Sequence, residues 1–224
     1  MREFEKNIGY EFHNKHLLST ALCHSSYANE SKKGLQSNER LEFLGDSVLS
    51  IVVSEYLYKH FSHMPEGELT KFRASLVCEK SLHKQALKLR LGEYLMLGKG
   101  EELTGGRERP SILADAVEAV IAAIYLDSNL ERARKFILDI LHDDMVPEKL
   151  EEAKDYKTVL QEIIKQNREE KVTYCLVEES GPDHDKRFTV EVRLNSNVIG
   201  TGTGRSKKDA EQAAAREALA LMGE

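Results

Sequence analysis

Two pairs of acidic residues in this chain have the type and spacing that could hold a divalent cation. Glu42 and Asp46 lie in a segment with helical periodicity, and Asp115 and Glu118 are spaced i and i+3 in another. The second segment is otherwise strongly apolar, and buried acids are rare unless they are paired or bound to a cation. If the two helices lie side by side, the four carboxylates can converge on one point.

A converging set of four carboxylates needs a cation or protons to be stable. Two carboxylates about 4 Å apart repel each other by about 4 kcal/mol at an effective dielectric constant of about 20. All-oxygen ligands with no histidine or cysteine nearby favour Mg²⁺ or Mn²⁺ over zinc. Such an ion can activate water and neutralise charge on a phosphoryl group. The alternative is that the four acids stay apart and pair with lysines and arginines.

The first acidic pair lies in residues 38–47, N-E-R-L-E-F-L-G-D-S, at the start of a helix predicted to reach His60. Glu39, Glu42 and Asp46 fall within an arc of about 60° on one side of this helix. The alternative to a metal site is that these three acids form a solvent-exposed face of the helix. The apolar residues predicted for the opposite face are Leu41, Leu44, Val48, Ile51 and Val52.

The rest of the first 145 residues is predicted to be helical. Helices are expected near the N-terminus, with Asn14 as an N-cap, then in a segment with Leu69, Phe72, Leu76 and Val77 on its inner side, and over residues 81–89, 111–125 and 130–141. Ser111 is the predicted N-cap of the helix over 111–125. His24 favours a hydrogen-bonded structural role, since no H-E-x-x-H motif occurs. The glycine-rich residues 98–109 lack a Walker lysine and are interpreted as an exposed loop, although a phosphate cradle is conceivable.

The last 70 residues have a different pattern, α-β-β-β-α. A helix is predicted over residues 156–166, strands over 172–178, 187–194 and 198–203, and a final helix after Ser206, with Ala210, Ala213, Ala214, Ala218 and Leu221 buried. Gly200, Gly202 and Gly204 are interpreted as backbone features of the third strand. Lys207 and Lys208 lie in the first turn of the final helix, just after Arg205. The helix dipole favours anions such as phosphate at that end. A solvated helix end is the alternative.

Composition limits the possible classes of protein. The net charge of −6 argues against binding nucleic acid through overall basicity, so any such binding needs local patches. Cys23, Cys78 and Cys175 have no C-x-x-C spacing, which favours buried packing roles in a reducing compartment over disulfides or zinc. With no apolar N-terminal signal and no run of about 18 apolar residues, the chain is predicted to be a cytoplasmic protein without a membrane span.

The segment N-E-R-L-E-F-L-G-D-S resembles the motif of bacterial ribonuclease III. I-G-Y-E-F, A-L-C-H-S-S-Y, L-T-K-F-R-A-S-L-V, L-G-K-G-E-E-L-T-G-G-R and S-I-L-A-D-A-V-E-A-V support this resemblance. The C-terminal region resembles a double-stranded RNA-binding domain at D-Y-K-T-V-L-Q-E, G-P-D-H and G-T-G-T-G-R-S-K-K-D-A-E-Q-A-A-A. The family often has T-H-R-S or T-H-K-S where this chain has C-H-S-S, and this departure affects packing or dimer contacts more than chemistry.

The resemblance implies an all-α catalytic and dimerisation domain over residues 1–145, a linker over 146–154 and an α+β (α-β-β-β-α) RNA-binding domain over 155–224. It places the metal ligands at Glu42, Asp46, Asp115 and Glu118, of which Asp46 and Glu118 match the positions most critical for cleavage. Glu39 and Glu66 match acids of the RNA cleft, and Phe43 matches an aromatic residue that enters a socket on the partner subunit. The implied RNA contacts of the small domain are Gln161, Glu162, Pro182, Asp183, His184, Lys207 and Lys208.

By the same resemblance, the chain is expected to be a homodimeric, Mg²⁺-dependent endoribonuclease in which Mn²⁺ can substitute. It would cut double-stranded RNA to 5′-phosphate and 3′-hydroxyl ends with short 3′ overhangs. Its substrates would be ribosomal RNA precursors and structured messenger RNAs. The alternative is a double-stranded RNA-binding protein on a nuclease-like scaffold that does not cleave. Such a scaffold would be expected to have lost at least one of the four acids, and this sequence keeps all four.

Overall fold

The computed structural model describes residues 1–31, 34–146, 156–165, 171–182 and 185–223. The chain divides into two compact units, Met1–Ala153 and Lys154–Glu224. Most of the predicted linker lies outside the described residues. Among the described residues, no helix has both the length and the apolar character that crossing a membrane requires.

The described part of the first unit is helical. Its α-helices are α1 (Arg2–Ile8), α2 (Lys15–Ala21), α3 (Ser25–Glu30), α4 (Glu39–His60), α5 (Glu66–Val77), α6 (Glu79–Lys88), α7 (Lys99–Leu103), α8 (Pro110–Asp127) and α9 (Leu130–Leu141). Short 3₁₀ helices occupy Leu91–Tyr94, Gly106–Glu108 and His142–Asp144.

Helix α8 forms the centre of this unit because almost all of its residues are apolar. Its inner turns, from Ala116 to Ile124, are buried except at Glu118. Helices α4 and α6 pack against it and contribute fully buried side chains such as Leu49, Val52 and Leu82. At about 25 cal/mol per Å² of buried apolar surface, this core is the main source of stability for the unit.

Hydrogen bonds to Asp127 tie the end of α8 to the N-terminal segment. Its carboxylate accepts from the backbone N–H of Asn14 at 2.7 Å and of His13 at 2.9 Å, and from the Tyr10 hydroxyl at 2.8 Å. Burial raises the pKa of Asp127, but these hydrogen bonds outweigh burial and hold it below its ordinary value. The Asn14 side chain caps α2 by accepting from His16 N, as predicted.

The structure corrects several details of the predicted helices. Residues 98–109 are not a plain loop: they contain α7 and a 3₁₀ turn, held by hydrogen bonds from Arg107 Nη1 to the carbonyls of Gly92 and Leu95. Ser111 does not cap α8, because Pro110 occupies the first helical position and Arg109 precedes it. Helix α6 starts two residues before the predicted position 81, at Glu79.

The second unit has two layers, with helices packed on one face of an antiparallel sheet of order β1-β2-β3. The elements are α10 (Tyr156–Lys165), β1 (Val172–Ser180), β2 (Arg187–Leu194), β3 (Asn197–Gly204) and α11 (Lys207–Met222). Val190 and Val192 of β2 pack with Leu160 of α10 and the alanines of α11. This is the predicted α-β-β-β-α arrangement.

The glycines of β3 allow α11 to lie directly on the sheet. A Cβ atom at Gly200 would lie 2.8 Å from Ala218 N, and one at Gly202 would lie 2.6 Å from Ala213 C. They therefore serve the backbone packing that was predicted for them. The buried stripe of α11 differs in two places: Ala215 and Leu219, one i+4 step apart, are buried, whereas the predicted Ala213 is half-buried and the predicted Leu221 is exposed.

The cysteine prediction is only partly correct. Cys23 is buried, Cys175 is half-buried and Cys78 is exposed. The three thiols are free. Cys78 lies at the junction of α5 and α6, where the backbone turns and leaves the side chain at the surface.

Candidate active site

The candidate active site is built where α4 and α8 come into backbone contact. Gly45 of α4 is buried against Glu118 of α8: a Cβ atom at position 45 would lie 3.0 Å from Glu118 Cα and closer still to its carbonyl carbon and oxygen. Only glycine permits two helices to approach this closely. The contact brings the residue after Gly45, which is Asp46, next to the turn of α8 that carries Glu118.

The four predicted acids lie near enough to one another to interact electrostatically. Burial raises the pKa of Glu118 to about 8, together with repulsion from Asp46, Asp115 and Glu42. Burial also raises the pKa of Glu42, and Asp115 and Glu39 raise it further. The structure therefore brings Glu42, Asp46, Asp115 and Glu118 together, and we call this group the acidic cluster.

The donor set of the acidic cluster suits a hard divalent cation, because all of its side-chain donors are carboxylate oxygens. As the side chains stand, however, no three His, Cys, Asp or Glu residues in the described part of the chain are spaced to hold a metal ion. The pKa shifts indicate that the four carboxyls lie near one another, whereas the side chains as they stand are not spaced to hold a metal ion. The backbone contact at Gly45 supports the close arrangement, since it fixes the positions of the two helices from which the acidic side chains extend. An ion bound here would draw the carboxylates closer together than they lie.

Two more residues interact with Asp115. Burial raises the pKa of its carboxyl, the carboxylate of Glu79 raises it further, and a charge on His24 would lower it. Glu79 begins α6, which packs against α8. The His24 side chain caps α3 by accepting from Ser26 N, which is the hydrogen-bonded structural role predicted for it.

The other predicted residues of the first unit are at the surface. Glu39 accepts a hydrogen bond from Ser37 Oγ at 2.7 Å, and Glu66, in the first turn of α5, accepts one from Thr70 Oγ1 at 3.0 Å. Phe43 is 78% exposed, which is unusual for a phenyl ring. The structure does not bring Glu66 into the acidic cluster.

An apolar stripe runs along the outer side of α4. It contains Phe43, Ile51 and Tyr58, at intervals of eight and seven residues, and all three are exposed. Ile51 had been predicted to face the core, but α4 packs against α5, α8 and α9 on its other sides and leaves Ile51 on the free one. A large exposed apolar patch commonly marks a protein interface.

A shallow depression of about 220 Å³ opens beside this stripe, between α4 and α5. Arg73 Nη1 donates to Ser54 Oγ at 3.1 Å across it. Its lining residues are Ser54, Leu57, Tyr58, Glu66, Leu69, Thr70 and Arg73. The depression therefore combines an apolar floor with the predicted cleft residue Glu66 at its rim.

In the second unit, the predicted RNA contacts occupy surface positions. Gln161 is half-buried and Glu162 exposed on α10, and Pro182 is exposed in the β1–β2 connection. Asp183 and His184 lie outside the described residues. Lys207 and Lys208 are exposed in the first turn of α11, whose N-cap Ser206 accepts from Asp209 N at 3.1 Å.

The end of β1 lies close to the α11 lysines. Glu179 pairs with Lys186 at 2.7 Å, and this hydrogen bond, together with the charge of Lys207, lowers the pKa of the Glu179 carboxyl. The Lys207 ammonium also lies 6.0 Å from the centre of the Phe188 ring. The end of β1, the start of β2 and the start of α11 therefore lie close together around Lys207.

Sequence reasoning missed Gly45 and Glu79. Gly45 carried a usable signal, because a glycine in the middle of a long helix costs about 1 kcal/mol relative to alanine and so implies a packing reason. Glu79 carried no such signal, because its approach to Asp115 depends on how α6 packs on α8.

Comparisons with known proteins identify the family of each of the two units. Residues 14–145 match the family model described as Ribonuclease-III-like, and residues 156–222 match the double-stranded RNA binding motif. Ribonuclease 3 of Caldanaerobacter subterraneus subsp. tengcongensis is 55% identical over 221 residues, covering 98% of this chain and 96% of that protein. Ribonuclease 3 of Clostridium perfringens is 52% identical over 226 residues, covering 99% and 94%.

Solved structures of the ribonuclease III nuclease domain from Campylobacter jejuni match the first unit. One, at 45% identity, has a TM-score of 0.60 and covers 65% of this chain and 95% of that domain. A second has the same identity and TM-score, covers 64% and 96%, and is described as showing structural flexibility in a region involved in dimer formation. The family matches and the two described domains together show that this chain belongs to the ribonuclease III family and is an endoribonuclease with a double-stranded RNA-binding domain.

Proposed function

We propose that this protein is a homodimeric, Mg²⁺-dependent endoribonuclease that cuts both strands of double-stranded RNA. The products would have 5′-phosphate and 3′-hydroxyl ends with short 3′ overhangs. Mn²⁺ would substitute for Mg²⁺, since both are hard cations that take carboxylate ligands. The single observation that carries the proposal is the acidic cluster, in which one carboxyl, that of Glu118, has its pKa raised to about 8 by burial and by its three neighbours.

Within the cluster we assign Glu42, Asp46, Asp115 and Glu118 as metal ligands, and Asp46 and Glu118 as the residues on which cleavage depends most. Asp46 follows Gly45, and Glu118 is the residue that Gly45 contacts, so small changes in that contact alter the separation of Asp46 and Glu118 directly. Carboxylates must be deprotonated to bind a cation. The raised pKa of Glu118 means that cation binding releases a proton near neutral pH.

When bound, Mg²⁺ would supply a Lewis acid that activates water and neutralises charge on the scissile phosphate. The chain's own part is to hold the carboxylates: Asp46 is exposed, but Glu42, Asp115 and Glu118 are half-buried, where charge interactions are stronger than in water. Helices α4 and α8 provide rigid backbone positions for them, which favours precise placement. Glu39 and Glu66 are proposed to shape the RNA cleft beside the cluster.

A homodimer would explain the exposed stripe of Phe43, Ile51 and Tyr58 on α4. In a two-fold interface the same patch meets itself, so a ring on one subunit needs a recess on the other. We assign the depression between α4 and α5 as the recess for Phe43 of the partner subunit. Two acidic clusters related by the two-fold axis would then act on the two strands of one duplex.

The small domain would supply affinity for the duplex. A-form RNA is recognised mainly by its shape, through phosphates and 2′-hydroxyls across the minor groove. Lys207 and Lys208 at the start of α11 are placed to bind phosphate, where the helix dipole also favours anions. Gln161 and Glu162 on α10 and Pro182, Asp183 and His184 in the β1–β2 connection are proposed to contact the minor groove.

Ribosomal RNA precursors and structured messenger RNAs are the proposed substrates, because both contain long duplex segments. The cytoplasm is the compartment that this proposal implies. The test is incubation of the purified protein with a long RNA duplex in Mg²⁺, in Mn²⁺ and in EDTA, followed by mapping of product ends. The proposal expects cleavage in both metals and none in EDTA, with product ends that ligate directly and lose this ability after phosphatase treatment, as 5′-phosphate ends do. Intact duplex under all three conditions would contradict it.

A further inference from the structure

Strand β3 is an edge of the sheet in the second unit. Among the described strands the order is β1-β2-β3, so β3 has a neighbour on one side only. The register between β2 and β3 shifts once, between Val192 and Arg193, and residues 200–204 then pair regularly with β2. An edge strand presents backbone N–H and C=O groups that can pair with another chain. The regular part of β3 is therefore a surface to which a further strand could be added.

The residues of β3 themselves give this edge little protection. Natural proteins commonly protect an edge strand with charged residues, proline or a bulge. The sequence of β3, N-V-I-G-T-G-T-G, contains no charged residue and no proline. The opposite edge differs, because the register of β1 shifts between Leu176 and Glu178 and the next residue, Glu179, is also charged. Protection of the β3 edge therefore depends on another element.

The side chain of Glu217, on α11, covers the β3 edge. Its Oε2 accepts a hydrogen bond from the backbone N–H of Thr201. Backbone groups along an edge strand point alternately toward the neighbouring strand and away from it, so this N–H is one of those that point away from β2. Glu217 reaches it because α11 lies close to the strand: a Cβ atom at Gly200 would lie 2.8 Å from Ala218 N. A negatively charged acceptor thus occupies an outward N–H of the regular part of β3.

The same strand of a second copy is the partner that this edge fits. In an antiparallel pair with its two-fold axis at Thr201, the two Thr201 residues would exchange N–H···O=C hydrogen bonds. All side chains of residues 199–203 are uncharged, so none within β3 repels its counterpart. Threonine is also favourable in strands. In this pair, however, each Glu217 would occupy an N–H that the other strand needs, and the two carboxylates would meet at the axis.

We propose that Glu217 is a guard residue, which prevents β3 from pairing with β3 of a second copy of this chain. It acts in two ways: its carboxylate occupies the Thr201 N–H, and like charges that face each other across a strand pair are destabilising. Removing Glu217 exposes a strand-pairing surface that the intact protein keeps closed. The inference is independent of the proposed catalytic function, because it involves no residue of the acidic cluster.

The experiment is sedimentation velocity on the full-length protein in EDTA and without RNA, over a series of protein concentrations. The average mass of Glu217→Ala should rise with concentration beyond that of wild type. Its association constant should be at least about tenfold higher, because a symmetric pair is freed of two obstacles at once. Glu131→Ala is the matched control, since it removes an exposed acid from α9, in the other unit, and should sediment as wild type does.

A second variant shows whether the association uses β3. Thr203 is exposed on the same strand, and a lysine on an edge strand opposes pairing. Glu217→Ala combined with Thr203→Lys should therefore return to the wild-type mass. Amide hydrogen exchange gives a direct reading of the strand: residues 197–204 should exchange faster in dilute Glu217→Ala than in wild type, and more slowly again as its concentration rises.

Three results would overturn the inference. The first is a Glu217→Ala variant with the wild-type mass at every concentration. The second is association that persists when Thr203→Lys is added, which would place the contact outside β3. The third is association only at temperatures where circular dichroism shows loss of structure, because Glu217 would then stabilise the fold without guarding an edge.

Discussion

Gly45 of α4 and Glu118 of α8 lie in direct backbone contact, and this contact determines where the acidic cluster forms. Glu118 belongs to the cluster, and Asp46 is the residue after Gly45. A side chain at position 45 would force the two helices apart at the point where Asp46 and Glu118 interact. The same contact therefore serves both the core and the proposed chemistry.

Gly45→Ala is expected to destabilise the protein, although alanine is the better helix former by about 1 kcal/mol. Over-packing a core typically costs about 1–3 kcal/mol, and here the obstacle is a rigid backbone. Gly67→Ala is the matched control, because Gly67 is also helical and has no atom near its missing Cβ. That substitution should stabilise by about 0.4–1 kcal/mol. Urea unfolding followed by circular dichroism measures both, and a Gly45→Ala variant as stable as wild type would refute the packing argument.

Asp127→Asn is expected to lower the free energy of unfolding by about 1–3 kcal/mol, because an amide cannot accept from all three donors. The pKa of Asp127 in the folded protein lies below its ordinary value of 3.8. Its stabilising effect is therefore fully present above that value and is lost as the pH falls through the folded-state pKa. The difference between wild type and variant should be larger near about pH 6 than near about pH 3.

Denaturant titrations at the two pH values measure this difference. Asp139→Asn is a suitable control, since Asp139 is exposed and, among the residues that the structure describes, forms an ion pair with Lys135 alone. It should change stability by less than about 0.5 kcal/mol. A gap between wild type and Asp127→Asn that does not narrow at low pH would mean that the carboxylate charge is not what these donors recognise.

Replacing Lys207 and Lys208 together with alanine is expected to weaken binding to an RNA duplex and to flatten its salt dependence. Each lost phosphate contact should reduce the slope of log K against log salt by roughly 0.9, taking the duplex DNA value as a guide. Lys171→Ala is the control. Lys171 is exposed and lies just before the first residue of β1, at the opposite end of that strand from Glu179. Fluorescence anisotropy at several salt concentrations measures the slopes, and an unchanged slope in the double variant would exclude these lysines from the RNA interface.

Phe43→Asp is expected to convert the proposed dimer into a monomer, because it places a charge at the most exposed aromatic ring of the α4 stripe. Leu103→Asp is the control, since Leu103 is 87% exposed on α7, away from the stripe. Sedimentation velocity measures the mass of each form. If wild type and Phe43→Asp sediment alike while Leu103→Asp dissociates, the interface has been assigned to the wrong surface.

Elements with strong local signals could be predicted from sequence closely. Helix α9 was predicted over residues 130–141 and has those limits, because its apolar stripe is regular and Asn129 caps it by accepting from Arg132 N at 3.1 Å. The glycines at 200 and 202 were also interpreted correctly, since their alternation along β3 implies a close neighbour on one face.

Elements that depend on distant contacts could not be predicted. Helix α7 has five residues, too few to be stable alone, and is supported by an ion pair between Glu101 and Arg109. Ile51 was assigned to the core because its helical angle matches that of Leu44 and Val48. Whether that side is covered depends on which helices pack around α4, and periodicity carries no such information.

The candidate site could be predicted only as a set of residue types. Spacing placed Glu42 and Asp46 on one helix and Asp115 and Glu118 on another, but it left convergence open. The structure shows that a single buried glycine, Gly45, brings the backbones of the two helices into contact. The interaction of His24 and Glu79 with Asp115 could not be predicted from the sequence, because it depends on how α3 and α6 pack.

The central claim is that the acidic cluster is the catalytic centre. RNA cleavage by the Glu118→Gln variant, measured together with its duplex binding and its stability, tests this claim most directly. Gln keeps the shape of Glu118 and removes its charge, so cleavage of a long RNA duplex in Mg²⁺ should fall by at least about 10²-fold, while binding in Ca²⁺ stays within about twofold of wild type. In EDTA the variant should be more stable than wild type, because a buried, repelled carboxylate is gone. Glu131→Gln, at an exposed position on α9, should change none of these. Wild-type cleavage by Glu118→Gln, or loss of RNA binding to the same degree as cleavage, would contradict the assignment of the acidic cluster as the catalytic centre.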